Sequence, residues 1–278
     1  MKQKFLAAMF DFDGTLTERK PKSPVPESLQ KTLENLSRTV PMALCTARPF
    51  KSAYLRMVMA FGDKFKKMNW VMTTENGCAG YEFDARTKKW IEFYRVKWPE
   101  KLVSKKMFSE KVYKNMRKYI GDYETAFQLN GSSIIFQPHY ENSSNEEIAR
   151  RCDVLEAGIK KILRGFKNGG ALKVINSKLG VIIIPKIADK DRGIEEFGKY
   201  LRKKCGRKFS AKYREIIAVG DQPGKNGNDH MFLKGRVGTP FTVGEILKSK
   251  YPLGIYKGKK RLTGPTATEY LLKSVKFC

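Results

Sequence analysis

Histidine is almost missing from this chain, with His139 and His230 the only two in 278 residues. Two such residues do not make a site, and neither is assigned a role. Cysteine is sparse and scattered, at 45, 78, 152, 205 and 278, and no two show the C-x-x-C spacing of a zinc or redox pair. An odd, dispersed set excludes a disulfide framework and fits a reducing compartment. No apolar run approaches the roughly 20 residues that a membrane-spanning helix needs. The opening MKQKFLAAMFDFD turns acidic after a few apolar residues and does not read as a signal peptide. A cytoplasmic protein with no membrane partner is the expectation. Internal repeats and low-complexity segments are absent as well.

Acidic residues are in short supply too, 28 against 55 Lys and Arg, which leaves a net charge of +27. A charge of that size invites a nucleic-acid reading, because Lys and Arg neutralise phosphates. Its distribution argues against one. Residues 84–186 carry 21 basic and 11 acidic side chains, and the other 175 residues carry 34 and 17, at nearly the same density. The richest local stretch runs from Glu245 to the C-terminus, but no single basic domain emerges. A solvated basic surface is the preferred reading, attraction of anionic substrates or polyanions is the alternative, and a nucleic-acid partner is not expected. What is present is ample core material: 41% hydrophobic and 12% aromatic residues. That suits one large domain or a core carrying an inserted domain.

Short apolar runs that end in polar residues recur along the chain. FLAAMF (5–10) runs into Asp11, VPMALC (40–45) into Thr46, WVMTT (70–74) into Glu75-Asn76-Gly77, and EIIAVG (215–220) into Asp221. Helical patterns lie between the first three, over 26–39 with Leu29, Leu33 and Leu36 in register, and over 49–62 behind Pro49. Strands alternating with helices predict an α/β fold with a parallel sheet, and in such sheets reactive groups collect beyond the carboxyl ends of the strands. The middle differs. KKWIEFYRV, AFQLNGSSIIFQPHYE and ALKVINSKLGVIIIPK read as strands, whereas residues 103–121 and 145–166 read as helices. This α+β pattern predicts an inserted domain over 84–186, within a core formed by 1–83 and 187–278.

The stretch FDFDGTLT carries the chemistry. A strand that ends in a tight turn at Gly14 can aim Asp11 and Asp13 into one crevice. Two carboxylates that close repel each other and call for a cation, and oxygen ligands suit Mg²⁺. One aspartate can then attack phosphorus while the other protonates the leaving oxygen. A bare Asp-Gly pair would read as an Asx turn, but the full stretch behind an apolar strand reads as a site.

This stretch resembles the first motif, DxDGT followed by L-[TLV], of the haloacid dehalogenase superfamily of phosphohydrolases. The resemblance implies a Rossmann-like core with a cap domain and Mg²⁺-dependent hydrolysis through an aspartyl-phosphate. It implies roles in turn. Asp11 is the nucleophile and a metal ligand. Asp13 is the general acid and base and lends its backbone carbonyl to the metal. LCTARP supplies Thr46 and IADKDRG supplies Lys190, which would hold the transferring phosphoryl group. IIAVGDQPGKNGNDHMF supplies Asp221 as a metal ligand and Asp229 as its support or that of a coordinated water. Arg48, Asn76 and Asn228 would bind substrate. The inserted domain between the second motif and Lys190, with TTENGCAGY at its start, is similar to the cap branch that includes sucrose-phosphatase, trehalose-phosphatase and phosphomannomutase.

Phosphatase action on a small phosphomonoester, most naturally a sugar phosphate, is therefore expected. A phosphohexomutase is the alternative. The six residues QPGKNG between Asp221 and Asn228-Asp229 speak for it, and the lack of any Arg or Lys in FQLNGSSIIFQPHYEN speaks against it. A nucleic-acid end phosphatase ranks third, and a non-catalytic binding module fourth. Oligomeric state and the role of the basic C-terminal segment stay open.

Overall fold

The computed structural model describes residues 4–20, 23–120, 127–138 and 143–278. They form two units, one of the described residues within 4–94, 189–225 and 229–278, the other of those within 95–188 together with 226–228.

The larger unit is built on an eight-stranded sheet in the order β13-β12-β11-β2-β3-β4-β5-β6. The strands are β2 (Ala7–Phe10), β3 (Met42–Cys45), β4 (Trp70–Thr74), β5 (Ala79–Asp84), β6 (Lys89–Arg95), β11 (Ile216–Gly220), β12 (Thr239–Thr242) and β13 (Leu253–Gly254). From β13 through β4 every pairing is parallel, and β5 turns back antiparallel on β4. The four expected strand runs are thus β2, β3, β4 and β11, side by side. Two small pairings complete the unit: β1 (Lys4–Phe5) with β16 (Lys276–Phe277), and β14 (Tyr256–Lys257) with β15 (Lys260–Arg261).

Side-chain alternation sorts the buried strand residues onto two faces. Ala8, Phe10, Met42, Leu44, Ile217 and Val219 share one core with α1 (Glu27–Leu36), α2 (Phe50–Phe61) and α7 (Gly264–Ser274). Ala7, Met9, Ala43, Cys45, Ile216 and Ala218 share another with α5 (Lys190–Cys205) and α6 (His230–Leu233). Because both faces are covered, the strands read as continuous apolar runs, and their polar groups are left at the strand ends.

The second unit carries a four-stranded antiparallel sheet, β7 (Phe127–Leu129), β8 (Ile134–Phe136), β10 (Val181–Pro185) and β9 (Leu172–Asn176) in that order. The helices α3 (Lys105–Met116) and α4 (Asn145–Arg164) bury Phe108, Val112, Ile148, Leu155 and Ile159 with Ile134, Phe136, Val181 and Ile183. This is the α+β pattern read in the middle of the chain. Its lower boundary is later than the expected residue 84. KKWIEFYRV forms β6 in the large sheet, where Trp90 packs against one core and Phe93 against the other. The second unit begins only at Arg95 and ends at Ala188, two residues beyond the expected 186.

Leu33 on α1 has no exposed surface. Leu33→Ala should lower unfolding stability by about 2–5 kcal/mol, the usual cost of emptying a closed apolar site, and urea titration would measure it.

Candidate active site

Four parallel strands deliver polar groups to one edge. Asp11 leaves β2 with its N–H still bonded to the carbonyl of Val219 on β11, at 2.9 Å. Thr46 leaves β3 bonded to the carbonyl of Thr73 on β4, at 3.0 Å. Asp221 follows β11, and Glu75 follows β4. Their proximity is a consequence of strand order, since β11 and β3 flank β2.

The turn after Asp11 is held by one carbonyl. Phe12 O accepts from the N–H groups of Thr15, Leu16 and Thr17, and Thr15 O accepts from Thr268 Oγ1 on α7 at 2.8 Å. Gly14 is required here for two reasons. Its φ is +84°, and a Cβ would stand 2.3 Å from Asp221 Oδ2. The glycine is what lets the two loops approach.

Lys190, at the first turn of α5, is the cation of the cluster. It has no exposed surface, and its Nζ donates to Asp11 Oδ1 and to Asp229 Oδ1, each at 2.6 Å. Burial alone would pull this lysine down, but the two carboxylates outweigh it and its pKa lies above the ordinary value. Asp229 is completely buried as well, and its Oδ2 accepts from the backbone N–H groups of Asp221 and Gln222, both at 3.1 Å. Both of its oxygens are therefore engaged. Asp221 is 7% exposed; its Oδ2 accepts from Arg19 at 3.2 Å, whereas its buried Oδ1 has no partner among the described residues.

Asp11, Asp221 and Asp229 each bring a carboxylate oxygen within 4.8 Å of the others. Burial raises the pKa of Asp11 to about 7, helped by the charge of Asp229 and opposed by Lys190. Burial likewise raises Asp221 well above the ordinary carboxylate value, with Asp229 and Asp11 adding to the effect. Three acids thus crowd around one lysine and one arginine, an arrangement short of positive charge. A divalent cation fits this donor set, and the orphaned Asp221 Oδ1 is a buried oxygen awaiting one.

The other expected residues fall into place differently. Asp13 lies outside the three-carboxylate group. Arg48 grips it as a fork, Nε to Oδ2 and Nη2 to Oδ1, both at 3.0 Å. Arg48, expected to bind substrate, is thus committed to a carboxylate of the protein and also donates to Ser52 at 3.4 Å. Thr46 is buried and its Oγ1 accepts from Arg48 N–H at 3.2 Å. Asn76, also expected to bind substrate, has no exposed surface; its Nδ2 donates to Asp189 Oδ1 at 3.1 Å. A side chain sealed in that way braces the site from behind and does not line it. Asn228 groups with the second unit; it is buried and its Oδ1 lacks a partner among the described residues. His230 Nδ1 lies 2.9 Å from Pro223 O, and His139 lies outside the described residues.

Two contributors were not singled out from sequence. Arg19 is one basic residue among 55, and nothing in its spacing marks it. Asp189 had a signal: an aspartate directly ahead of a helical pattern is a helix cap, and its side chain accepts from Lys190 N–H at 2.8 Å.

No protein-family model matches the sequence, and no curated protein matches it. Solved structures do. The C-terminal domain of trehalose-6-phosphate phosphatase from C. albicans is 15% identical, with a TM-score of 0.62 over 99% of this chain and 93% of that one. A haloacid dehalogenase-like hydrolase from Bacteroides thetaiotaomicron is 16% identical, with a TM-score of 0.57 over 88% of this chain and 90% of that one. The IMP-nucleotidase of Plasmodium falciparum is 16% identical, with a TM-score of 0.64 over 98% of this chain but 61% of its own length. The fold is that of the haloacid dehalogenase-like hydrolases. No helix among the described residues is long and apolar enough to cross a membrane.

The strain in the carboxylate cluster has a measurable sign. A carboxyl raised from 3.8 to about 7 on folding keeps its proton to higher pH in the folded chain than in the unfolded one. Stability of the metal-free protein should therefore fall as pH rises from about 4 to about 7. Asp11→Asn should melt higher than the wild type in EDTA at pH 8, and the gain should shrink at pH 5. Thermal melts of both proteins at the two pH values would test it.

Proposed function

We propose that the protein is a Mg²⁺-dependent phosphatase that hydrolyses a small phosphomonoester through an aspartyl-phosphate on Asp11. The observation that carries this reading is the buried lysine shared by Asp11 and Asp229, beside an Asp221 oxygen with no partner among the described residues. A structural salt bridge would pair its charges; this cluster holds an excess of carboxylate in a fold shared with phosphatases. Asp11 and Asp221 would hold Mg²⁺, with the backbone carbonyl of Asp13 as a further ligand and Asp229 bracing the loop. When bound, the ion screens the charge of the phosphate from that of the attacking carboxylate.

The residues of the chain carry the rest. Asp11 attacks phosphorus in line, its new P–O bond replacing the ester P–O bond. Thr46 Oγ1 and Lys190 Nζ grip the phosphoryl oxygens and neutralise charge that builds on them. Asp13 would leave the Arg48 fork, in which both its oxygens accept, take up a proton and give it to the departing alkoxide. It then takes a proton from the water that attacks the acyl phosphate, releasing inorganic phosphate and restoring Asp11. The second unit is read as the cap that selects substrate. Five scattered cysteines with no disulfide among them support a reducing, cytoplasmic setting.

A sugar phosphate is the proposed substrate class, supported by the likeness to a trehalose-6-phosphate phosphatase; the likeness to an IMP-nucleotidase puts nucleoside monophosphates on the same test panel. Release of phosphate from sugar phosphates, nucleotides and a 5′-phosphorylated oligonucleotide, with and without Mg²⁺, is the deciding assay. Mg²⁺-dependent release from a small ester is expected, and Asp11→Asn should lose at least about a thousandfold in turnover while keeping its fold. An Asp11→Asn variant with the wild-type rate would remove Asp11 as the nucleophile. No release from any ester would overturn the phosphatase reading and favour the mutase, to be assayed with a hexose bisphosphate activator.

A further inference from the structure

The turn that follows β4 is strained and sealed. Glu75, Asn76 and Gly77 have φ of +52°, +56° and +85°, two of them with side chains in the left-handed region that favours glycine. Such a conformation persists only where the surroundings hold it, and here they hold it from two sides. On one side, Glu75 N–H donates to Arg48 O and Asn76 N–H donates to Thr46 O, both at 2.9 Å. On the other, Asn76 Nδ2 donates to the Asp189 oxygen that caps Lys190 N–H. Gly77 presses against the same place, for a Cβ on it would stand 2.1 Å from Asp189 O. Asn76 is wholly buried, and its Oδ1 has no partner among the described residues, so the side chain is held by its donor.

We infer that Asn76 is a positioning residue that fixes the distance between Thr46 and Lys190. Its backbone holds the loop of one and its side chain holds the helix start of the other. The inference rests on the phosphoryl-transfer reading, in which those two residues grip opposite parts of one phosphoryl group. The same loop carries Arg48, so the orientation of Asp13 depends on it as well. Misplacing a catalytic group by about an ångström costs about a hundredfold in rate, so a rigid strut between them has a function beyond stability.

Asn76→Gly tests this, because glycine accepts a φ of +56° and removes only the tie. The expected result is a turnover lower by about 10–100-fold and orthovanadate inhibition weakened to a similar degree. Mg²⁺ affinity, read by titration calorimetry, should stay at the wild-type value, since Asp11 and Asp221 are untouched. Asn76→Asp should be worse, with two carboxylates facing each other. Asp189→Ser, which keeps a capping oxygen for Lys190 N–H but is too short to reach Asn76, should lose turnover as Asn76→Gly does. An Asn76→Gly protein that folds, with wild-type turnover and vanadate inhibition, would overturn the inference and leave the phosphatase reading standing. If Asn76→Gly does not fold, a folded Asp189→Ser protein with wild-type turnover would overturn it equally. A wild type that releases no phosphate from any ester would overturn both.

Discussion

Lys190 is the constraint on which the core unit depends. A wholly buried ammonium survives only with partners, and Asp11 and Asp229 supply them at 2.6 Å each. The three residues come from the end of β2, the start of α5 and the loop after β11, so one cation pins three distant parts of the chain. Asp229 then transmits the constraint further, since its second oxygen holds the backbone of Asp221 and Gln222. Removing the lysine would leave two buried carboxylates facing each other. A buried ion group of this kind is poor evidence for stability; its value lies in the fixed geometry it enforces.

Around that cation the carboxylates are out of balance, and the imbalance links structure to chemistry. Asp11 and Asp221 are both shifted toward their neutral forms by burial and by the charge of Asp229, which a packed core would avoid. The fold tolerates it because parallel strands covered on both faces leave only their ends for polar groups. Gly14 then lets two such ends approach. An excess of buried carboxylate oxygen is stable at neutral pH when a cation fills it, and this is the physical ground for the proposed Mg²⁺ site.

Much of this was legible because the relevant signals are local. Apolar runs ending in Asp11, Thr46, Asn76 and Asp221 marked strand ends, and their alternation with helices marked a parallel sheet. The Asp-Gly turn marked Asp11 and Asp13, and the resemblance of that stretch to the haloacid dehalogenase motif implied Lys190, Asp221 and Asp229 as the rest of the set. KKWIEFYRV was harder. Its alternation marks a strand in either unit, and only the packing of Trp90 and Phe93 on opposite faces of the large sheet assigns it. Arg48 and Asn76 were harder still. A side chain near a strand end can face a substrate or a neighbour, and residue type alone does not choose.

The sequence by itself therefore determined the fold class, the order of the elements and which residues stand at the strand ends, since these follow from periodicity and turn chemistry within a few residues of each position. Tertiary structure decided the partners. Arg48 turned to Asp13, Asn76 to Asp189, Arg19 to Asp221 and Lys190 to two acids at once. Each of those pairings joins residues at least 35 positions apart, and electrostatic and hydrogen-bond complementarity over that separation depends on strand order and close approach, which no local pattern encodes.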